Sequence, residues 1–311
     1  MTIKEALIWG TKTLNKIAKR KEAHSDSPIL DSEILLCAAT KKPKEFIFTH
    51  PEKKLIGKQV SVYKKLIARR AKHEPIAYIL SRKEFYGFEF FVNKDVLIPR
   101  PDTETLINAV IVLSPKTIID IGTGGGAIAI TLKKLLPKTQ IFASDISPSA
   151  LALAKKNAKY LGAKIIFKKG DLLEPFQSLL DTGFPMGTRY PIVITANLPY
   201  LSQKEWKNCQ PEIKKHEPYG ALVGEKTGTE VYEKLFKQIS AIASLFEREV
   251  MRDFKNPPQP PLARGEVMLF LEIGHNQKSA IAKLAKKILK PKKIEFIKDL
   301  AEKWRVAKIQ I

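Results

Sequence analysis

A short apolar strand that runs into a glycine-rich turn and then a helix constrains this chain more than any other feature. Residues 117–121 read Thr-Ile-Ile-Asp-Ile, residues 122–126 read Gly-Thr-Gly-Gly-Gly, and residues 127–132 begin an apolar helix. Glycine lets the backbone bend sharply and approach a ligand closely, and the start of the helix leaves N–H groups free beside it. The pattern predicts a doubly wound, Rossmann-like α/β domain with its ligand at the carboxyl ends of the strands.

Acidic residues follow the next two predicted strands. Asp145 closes the strand at 140–144, at a distance from Gly122 that suits a carboxylate hydrogen-bonding to ribose hydroxyls. Asp171 follows a third strand at 164–168, where an adenine amino group could be met. This set predicts an adenosine-containing cofactor.

Two cofactors fit the glycine turn. Gly122, Gly124 and Ala127 satisfy the dinucleotide pattern, so NAD remains an alternative. Asp120, inside the strand end, gives the spacing D-x-G-x-G-x-G, and together with Asp171 it favours S-adenosylmethionine.

A second motif, Asn197-Leu198-Pro199-Tyr200, directly follows the apolar run 191–196. The Asn197 side-chain carbonyl and the next main-chain carbonyl can accept both N–H bonds of a planar NH2 group, and Tyr200 offers a flat face to it. Positive charge develops on such a nitrogen as it is methylated, and preorganised acceptors stabilise that charge. Taken alone, the motif is more typical of a turn. Because it follows a strand that ends at Ala196, where open α/β sheets bind ligands, it predicts methyl transfer to an amide or aromatic amine.

Composition sets limits on class and partners. The 311 residues are 44% hydrophobic, enough for one large and one small domain, and we expect a cytoplasmic protein because no apolar stretch has the length of a membrane span or a signal peptide. The formal charge of +22 is compatible with RNA, the ribosome or an acidic protein as partner, but its lysines are spread along helix faces. The spacing of the two cysteines and five histidines predicts no metal site.

Apolar periodicity predicts a helical domain over residues 1–80, a β-hairpin linker over 81–96 and a catalytic domain over 97–311. Asp102 or Thr103 is expected to cap the helix that follows Arg100. Further strands are predicted at 267–272 and 303–311, for roughly seven in all. Two inserts stand outside this plan: a polar segment at 181–188, and a proline-dense segment at 252–264 that is expected to form an exposed extended loop.

Several motifs recur in order before and after the glycine turn, and through them nearly the whole chain resembles the HemK/PrmC family. They are Arg69-Arg70, 74–79 (Glu-Pro-Ile-Ala-Tyr-Ile), 84–87 (Glu-Phe-Tyr-Gly), 97–104 (Leu-Ile-Pro-Arg-Pro-Asp-Thr-Glu) and 271–274 (Leu-Glu-Ile-Gly). Members of that family are protein-(glutamine-N5) methyltransferases, which modify the Gly-Gly-Gln glutamine of class 1 peptide chain release factors and so support translation termination.

The resemblance implies a seven-stranded methyltransferase domain that uses S-adenosylmethionine. It implies that the helical domain contacts the release factor and that Asn197, Leu198, Pro199 and Tyr200 hold the glutamine. The cofactor residues that it implies are Gly122, Thr123, Gly124, Gly125, Gly126, Asp145, Asp171, Leu172 and Asn197. We expect a monomer.

Leu198 departs from the family, which usually has Asn-Pro-Pro-Tyr. Asn-Leu-Pro-Tyr is similar to the motif of ribosomal RNA adenine dimethyltransferases, so an adenine-N6 methyltransferase acting on RNA or DNA is the alternative function. Leucine keeps the main-chain carbonyl and loses only the fixed backbone angle of proline, which predicts a looser loop. A third hypothesis is a basic, non-catalytic protein that binds at the ribosome.

Overall fold

The computed structural model of the protein describes residues 1–18, 27–177, 192–253 and 267–311. The chain forms two compact units. The first comprises 1–82, 92–94 and 208–218, and the second comprises 83–91, 95–207 and 219–311. The domain boundaries derived from sequence stay a prediction.

The first unit is helical. Its helices are Ile3–Ala18, Pro28–Thr40, Lys44–Thr49, Gly57–Arg70, Ile76–Leu80 and Pro211–His216. Ser27 caps the second of them, because its side chain accepts a hydrogen bond from the main-chain N–H of Leu30 and Pro28 occupies the first turn. The core of this unit includes Leu35, Tyr63 and Ile67.

A buried arginine ties the sequence-distant helix Pro211–His216 into this unit. Arg70 donates from Nε to Asp31 Oδ2 at 2.7 Å and from Nη1 to Glu212 Oε2 at 2.6 Å. Its guanidinium fork can serve two carboxylates at once, and its side chain is only 9% exposed. Sequence periodicity could not find this contact, because the partners lie 39 and 142 residues away.

The second unit contains a two-stranded hairpin and a seven-stranded sheet. The hairpin strands are β1 Arg82–Phe85 and β2 Phe88–Phe91. The sheet strands are β3 Thr117–Ile121, β4 Gln140–Asp145, β5 Ile166–Lys169, β6 Ile192–Ala196, β7 Val267–Glu272, β8 Lys293–Lys298 and β9 Trp304–Gln310, in the order β5-β4-β3-β6-β7-β9-β8. The first five strands in that order are parallel, and β9 pairs antiparallel with both β7 and β8.

Helices of the second unit follow its strands. They are Glu104–Ile111, Ala127–Leu135, Pro148–Leu161, Gln203–Lys207, Glu230–Asp253 and Lys278–Ile288, with 3-10 turns at Pro101–Thr103, Glu174–Phe176 and Tyr219–Ala221. Two buried clusters, one containing Ile119, Ile194 and Leu271 and the other Ile118, Val193 and Phe270, alternate along the strands. This period of two shows that both faces of the sheet are covered, as in a doubly wound fold. The predicted fold class is confirmed.

Some predicted elements differ from the structure. The third strand begins at Ile166 rather than at residue 164, and the strand Lys293–Lys298, whose burial is only intermediate, was not specified from the sequence. The helix Glu230–Asp253 includes the first two residues of the proline-dense segment, so the prediction that this segment is all extended was wrong there. Its remainder, and the polar insert at 181–188, lie outside the described residues. No helix in the described ranges is long and apolar enough to cross a membrane.

Gly10 provides a test of the packing in the helical unit. A Cβ added there would overlap Tyr63 Oη and lie 2.6 Å from Ser32 Oγ, and these two hydroxyls are themselves hydrogen-bonded at 2.6 Å. We expect Gly10→Ala to lower the free energy of unfolding by about 1–3 kcal/mol, because overpacking outweighs the gain in helix propensity. Urea denaturation measures this. Gly57→Ala is the control, since nothing lies within 4 Å of its added Cβ; equal stability losses in both variants would contradict the prediction.

Candidate active site

The glycine-rich turn adopts the conformation that its sequence requires. Gly122, Gly124 and Gly126 have φ of 65°, 55° and 85°, the left-handed region that favours glycine. The main-chain N–H of Thr123 donates to the carbonyl of Ser144, which ties the turn to β4. A Cβ added at Gly124 would meet nothing within 4 Å, so the turn borders open space at this point.

Asp120 is the buried anchor of this turn. Its carboxylate accepts hydrogen bonds from Thr123 Oγ1 at 2.7 Å and from Thr195 Oγ1 at 2.8 Å. Burial raises the pKa of Asp120 to about 6, against the two threonine hydrogen bonds, which lower it. The side chain has no exposed surface, so its role is to join the turn to β6 rather than to meet a ligand.

Asp145 ends β4 beside the turn. Its Oδ2 accepts from the Gly124 N–H at 2.8 Å and its Oδ1 accepts from the Ser147 N–H at 2.8 Å. Burial raises its pKa, and these main-chain donors oppose the rise. Each carboxylate oxygen has a second lone pair, so Asp145 retains the capacity to accept from a hydroxyl group. Ser147 caps the next helix through a hydrogen bond from the Ala150 N–H.

Asp171 and Leu172 follow β5 and lie next to the end of β4. The N–H of Gly170 donates to the carbonyl of Asp145, and Ser144 Oγ donates to the carbonyl of Leu172 at 2.7 Å. The Asp171 carboxylate forms an ion pair with Lys234. Leu172 has φ of 55° and its side chain is buried.

The Asn197 to Tyr200 loop leaves β6 next to the glycine turn, because β6 pairs with β3 and the two strands end together at Ala196 and Ile121. Leu198 is 2% exposed, and its Cδ2 lies 3.1 Å from the position that a Cβ on Gly122 would take. The structure therefore brings the two predicted motifs together. It also shows that the Leu198 side chain anchors the loop in the core, a constraint that the prediction of a looser loop did not include.

Gly224, Gly228 and Gln277, which were not predicted from the sequence, lie against the Pro199 and Tyr200 carbonyls of this loop. A Cβ on Gly224 would overlap the carbonyl of Pro199, and one on Gly228 would overlap the carbonyl of Tyr200. Gln277 Nε2 donates to that Tyr200 carbonyl at 2.8 Å. Gly224 and Gly228 are the sequence signal for this contact, because glycine often occurs where another backbone approaches closely.

Thr103 and Glu272 were also missed as neighbours of the loop. Asn197 Nδ2 donates to Thr103 Oγ1 at 3.4 Å, and the Thr103 hydroxyl hydrogen-bonds to the Glu272 carboxylate. The prediction that Asp102 or Thr103 caps the following helix was wrong. Thr103 occupies the N-cap position of Glu104–Ile111 with a helical backbone and makes no capping bond, because its hydroxyl is turned toward Asn197 and Glu272.

Burial raises the pKa values of two titratable groups near the loop. Burial, followed by the charge of Glu272, raises the pKa of Tyr200 to about 12, so its hydroxyl stays protonated. Burial raises the pKa of Glu272 to about 7, while Thr103 and the positive charge of Arg305 lower it. Among the described residues, no group of three or more histidine, cysteine or acidic side chains could hold a metal ion.

Comparisons with known proteins agree with this geometry. Residues 5–80 match the family described as PrmC N-terminal domain, and residues 118–216 match the family described as Methyltransferase domain.

The chain is similar to curated proteins named release factor glutamine methyltransferase. It is 36% identical to the one from Koribacter versatilis over 77% of this chain and 81% of that protein. It is 30% identical to the one from Bacillus subtilis over 98% of this chain and 96% of that protein. It is also 29% identical to the Bacillus cereus protein over 98% of both chains.

A solved structure shares the fold. The hMettl16 catalytic domain, crystallised with a MAT2A 3'UTR hairpin, superimposes with a TM-score of 0.50 at 18% identity, covering 78% of this chain and 81% of that one. At this identity the likeness concerns the fold alone.

Glu272 gives the fold a measurable pH dependence. A carboxyl group whose pKa is raised on folding contributes its full stabilisation at pH values below its pKa in the unfolded chain, about 4.3 for glutamate. For Glu272 this contribution is lost as the pH rises through its folded pKa of about 7. Glutamine does not titrate, so the Glu272→Gln variant should not show this loss. We expect the free energy of unfolding of the variant minus that of wild type to increase by about 1–3 kcal/mol from pH 5 to pH 8. Urea denaturation across this range measures the difference.

Glu295→Gln is the control, because Glu295 is at the surface and its pKa is lowered by Lys293 and Lys308. This variant should keep the wild-type decline. A Glu272→Gln curve parallel to that of wild type would contradict the assignment.

Proposed function

The chain belongs to the family of release factor glutamine methyltransferases, and from that membership we propose that it methylates the side-chain amide nitrogen of the glutamine in the Gly-Gly-Gln motif of class 1 peptide chain release factors. The observation that carries the proposal is the adjacency of the two loops, with Leu198 packed against Gly122 at the paired ends of β6 and β3. A donor and an acceptor held side by side gain most of the rate that positioning can supply.

S-adenosylmethionine is the proposed methyl donor, and when bound it supplies an electrophilic methyl group. The residues proposed to bind S-adenosylmethionine have the space and the hydrogen-bonding capacity that it requires. Gly124 borders open space where a side chain would intrude, and Asp145 has lone pairs available for ribose hydroxyls. The remaining proposed contacts are Gly122, Thr123, Gly125, Gly126, Asp171, Leu172 and Asn197.

In this proposal Asp171 accepts from the adenine amino group. Its carbonyl already accepts from Gln238 Nε2 at 3.3 Å, and its carboxylate pairs with Lys234 through Oδ2. A carboxylate has several lone-pair sites, so the pair with Lys234 leaves it able to accept a further hydrogen bond.

The substrate amide is proposed to lie against Asn197, Leu198, Pro199 and Tyr200. Asn197 Oδ1 accepts one N–H of the glutamine amide and the Leu198 carbonyl accepts the other. Methylation would form the carbon–nitrogen bond as the donor's methyl–sulfur bond breaks. The two oxygens would stabilise the positive charge on the nitrogen, and one N–H proton would then leave to solvent. The ring of Tyr200 packs on the planar amide, and its hydroxyl stays neutral because its pKa is raised to about 12.

Leu198 is proposed to hold the loop by a different means from proline. Proline would fix the backbone angle, whereas the Leu198 side chain is buried in the same core cluster as Ile194, Ala196 and Leu271. The next two carbonyls are also restrained, because that of Pro199 lies close to Gly224 and that of Tyr200 accepts from Gln277.

The wider role follows from this substrate. We propose that the protein acts in the cytoplasm as a monomer and that it binds release factors close to the ribosome. Residues 1–80 are proposed to recognise the release factor, and residues 97–311 to catalyse the reaction. Residues 81–96 are the proposed linker.

A methyl-transfer assay tests the substrate. Labelled S-adenosylmethionine is offered with a release factor, with its Gln→Ala variant at Gly-Gly-Gln, and with ribosomal RNA. We expect label only in the unmodified factor. Label in RNA would instead support an adenine-N6 methyltransferase, the function that Leu198 makes the alternative, and equal label in the Gln→Ala variant would move the reaction to another residue.

Asn197→Ala tests the acceptor site. We expect kcat to fall by about 100-fold or more, because one preorganised acceptor is lost, while the affinity for S-adenosylmethionine changes less than threefold. Steady-state assays and calorimetry measure the two quantities. Asn108→Ala is a matched control, since Asn108 is exposed on the helix Glu104–Ile111 and its Oδ1 accepts a hydrogen bond from the Tyr86 hydroxyl. A fully active Asn197→Ala enzyme would refute the role of Asn197.

A further inference from the structure

Thr103 is placed where it can control the Asn197 side chain. It ends the 3-10 turn Pro101–Thr103 and is 4% exposed. Its hydroxyl accepts from Asn197 Nδ2 and bonds to the Glu272 carboxylate on its other side. Its backbone is helical and its side chain makes no cap bond, so its hydroxyl is available to these two partners.

When Glu272 is ionised, the three side chains form a chain of hydrogen bonds with a fixed direction. An ionised carboxylate only accepts hydrogen bonds, so the single O–H of Thr103 must donate to Glu272. The Thr103 oxygen can then only accept, and the Asn197 side chain must present its NH2 group to it. The Asn197 Oδ1 atom therefore points away from Thr103.

Burial of the Glu272 carboxylate at this position costs the fold stability. It ends β7 and is 1% exposed, and in the described part of the chain its Oε2 has no hydrogen-bond partner. A buried carboxylate with an unpaired oxygen destabilises a fold, and such a group is retained where it has another role.

Charged and titratable groups from four elements face this carboxylate. Arg100 and Asp102 precede Thr103, Tyr200 belongs to the Asn197 loop, and Arg305 lies on β9. Arg305 is itself paired with Asp102 at 2.9 Å and with Asp299 at 3.0 Å. From the helix Glu230–Asp253, the Tyr232 hydroxyl donates to the main-chain oxygen of Glu272 at 2.6 Å. The cationic groups favour the ionised form, although burial opposes it.

We propose that Thr103 and Glu272 are positioning residues for methyl transfer, which hold the Asn197 side chain with its NH2 group toward Thr103 and its Oδ1 toward the substrate amide. The proposal rests on the function proposed for Asn197. Neither residue touches the substrate. They remove the alternative amide orientation, in which Asn197 would present N–H groups to the N–H groups of the glutamine and repel them.

Protonation of Glu272 would release this constraint. A protonated carboxyl can donate to Thr103, and Thr103 can then donate to Asn197 Oδ1, which reverses the amide. Since burial raises the pKa of Glu272 to about 7, the active form should increase as pH rises through that value.

Thr103→Val and Thr103→Ser form a matched pair for the first test. Valine keeps the shape and removes the hydroxyl, whereas serine keeps the hydroxyl. We expect Thr103→Val to lower kcat by about 10- to 100-fold, with KM for the release factor and the affinity for S-adenosylmethionine changed less than threefold. Thr103→Ser should retain at least about half of the wild-type kcat. Equal rates for the valine variant and wild type would overturn the proposal.

A double variant separates positioning from a structural defect. If Thr103 acts through Asn197, adding Thr103→Val to Asn197→Ala should cause less than a threefold further loss in kcat. A full multiplicative loss would show that Thr103 acts by another route and would overturn the proposal. This outcome differs from failure of the proposed function, in which Asn197→Ala itself would be active.

The pH profile of kcat is the second test. We expect the wild-type rate to rise about tenfold per pH unit below about 7 and to level off above it. Glu272→Gln, which cannot titrate, should give a lower rate that is flat over this range. If the same midpoint persists in Glu272→Gln, the titrating group is elsewhere and the role of Glu272 is refuted.

Discussion

The Asp120 carboxylate, shared between the Thr123 and Thr195 hydroxyls, is the interaction on which the site depends. Thr123 lies in the glycine turn and Thr195 lies two residues before Asn197, so one side chain holds both loops to the paired strands β3 and β6. With no exposed surface, the carboxylate has protein donors in place of water. Burial disfavours the charged form of this carboxyl group and raises its pKa to about 6.

The rest of the site is built outward from this pairing by close backbone contacts. Leu198 packs toward Gly122 on one side of the loop. On the other side, Gly224 and Gly228 let another segment approach the carbonyls of Pro199 and Tyr200, and Gln277 donates to the second of these. Close packing of this kind restrains a loop without a proline at position 198. The family's usual Pro-Pro sequence is therefore one solution to a constraint that this chain meets by burial.

Much of the site was predictable because its residues follow strands. Positive φ at three positions of the turn explains why glycine is required there, and the burial of Ile119 and Ile194 explains the apolar runs that precede both loops. The helix caps at Ser27 and Ser147 were also predictable, since capping is a local interaction between residues three apart. The expected cap at Thr103 was wrong because a distant carboxylate, Glu272, competes for the same hydroxyl.

By itself, the sequence determined the α/β fold class and the position of the two loops at strand ends, and it predicted a chemistry for Asn197 and Tyr200. These follow from local rules of periodicity, turn formation and side-chain type. Only the tertiary structure decided which groups surround the loops. The pairs Arg70 and Glu212, Asp120 and Thr195, Asn197 and Thr103, and Asn197 and Glu272 lie 75 to 142 residues apart in the chain. The physical reason is that the direction of a hydrogen bond and the pKa of a buried carboxyl depend on neighbours that are brought together only when the sheet is assembled.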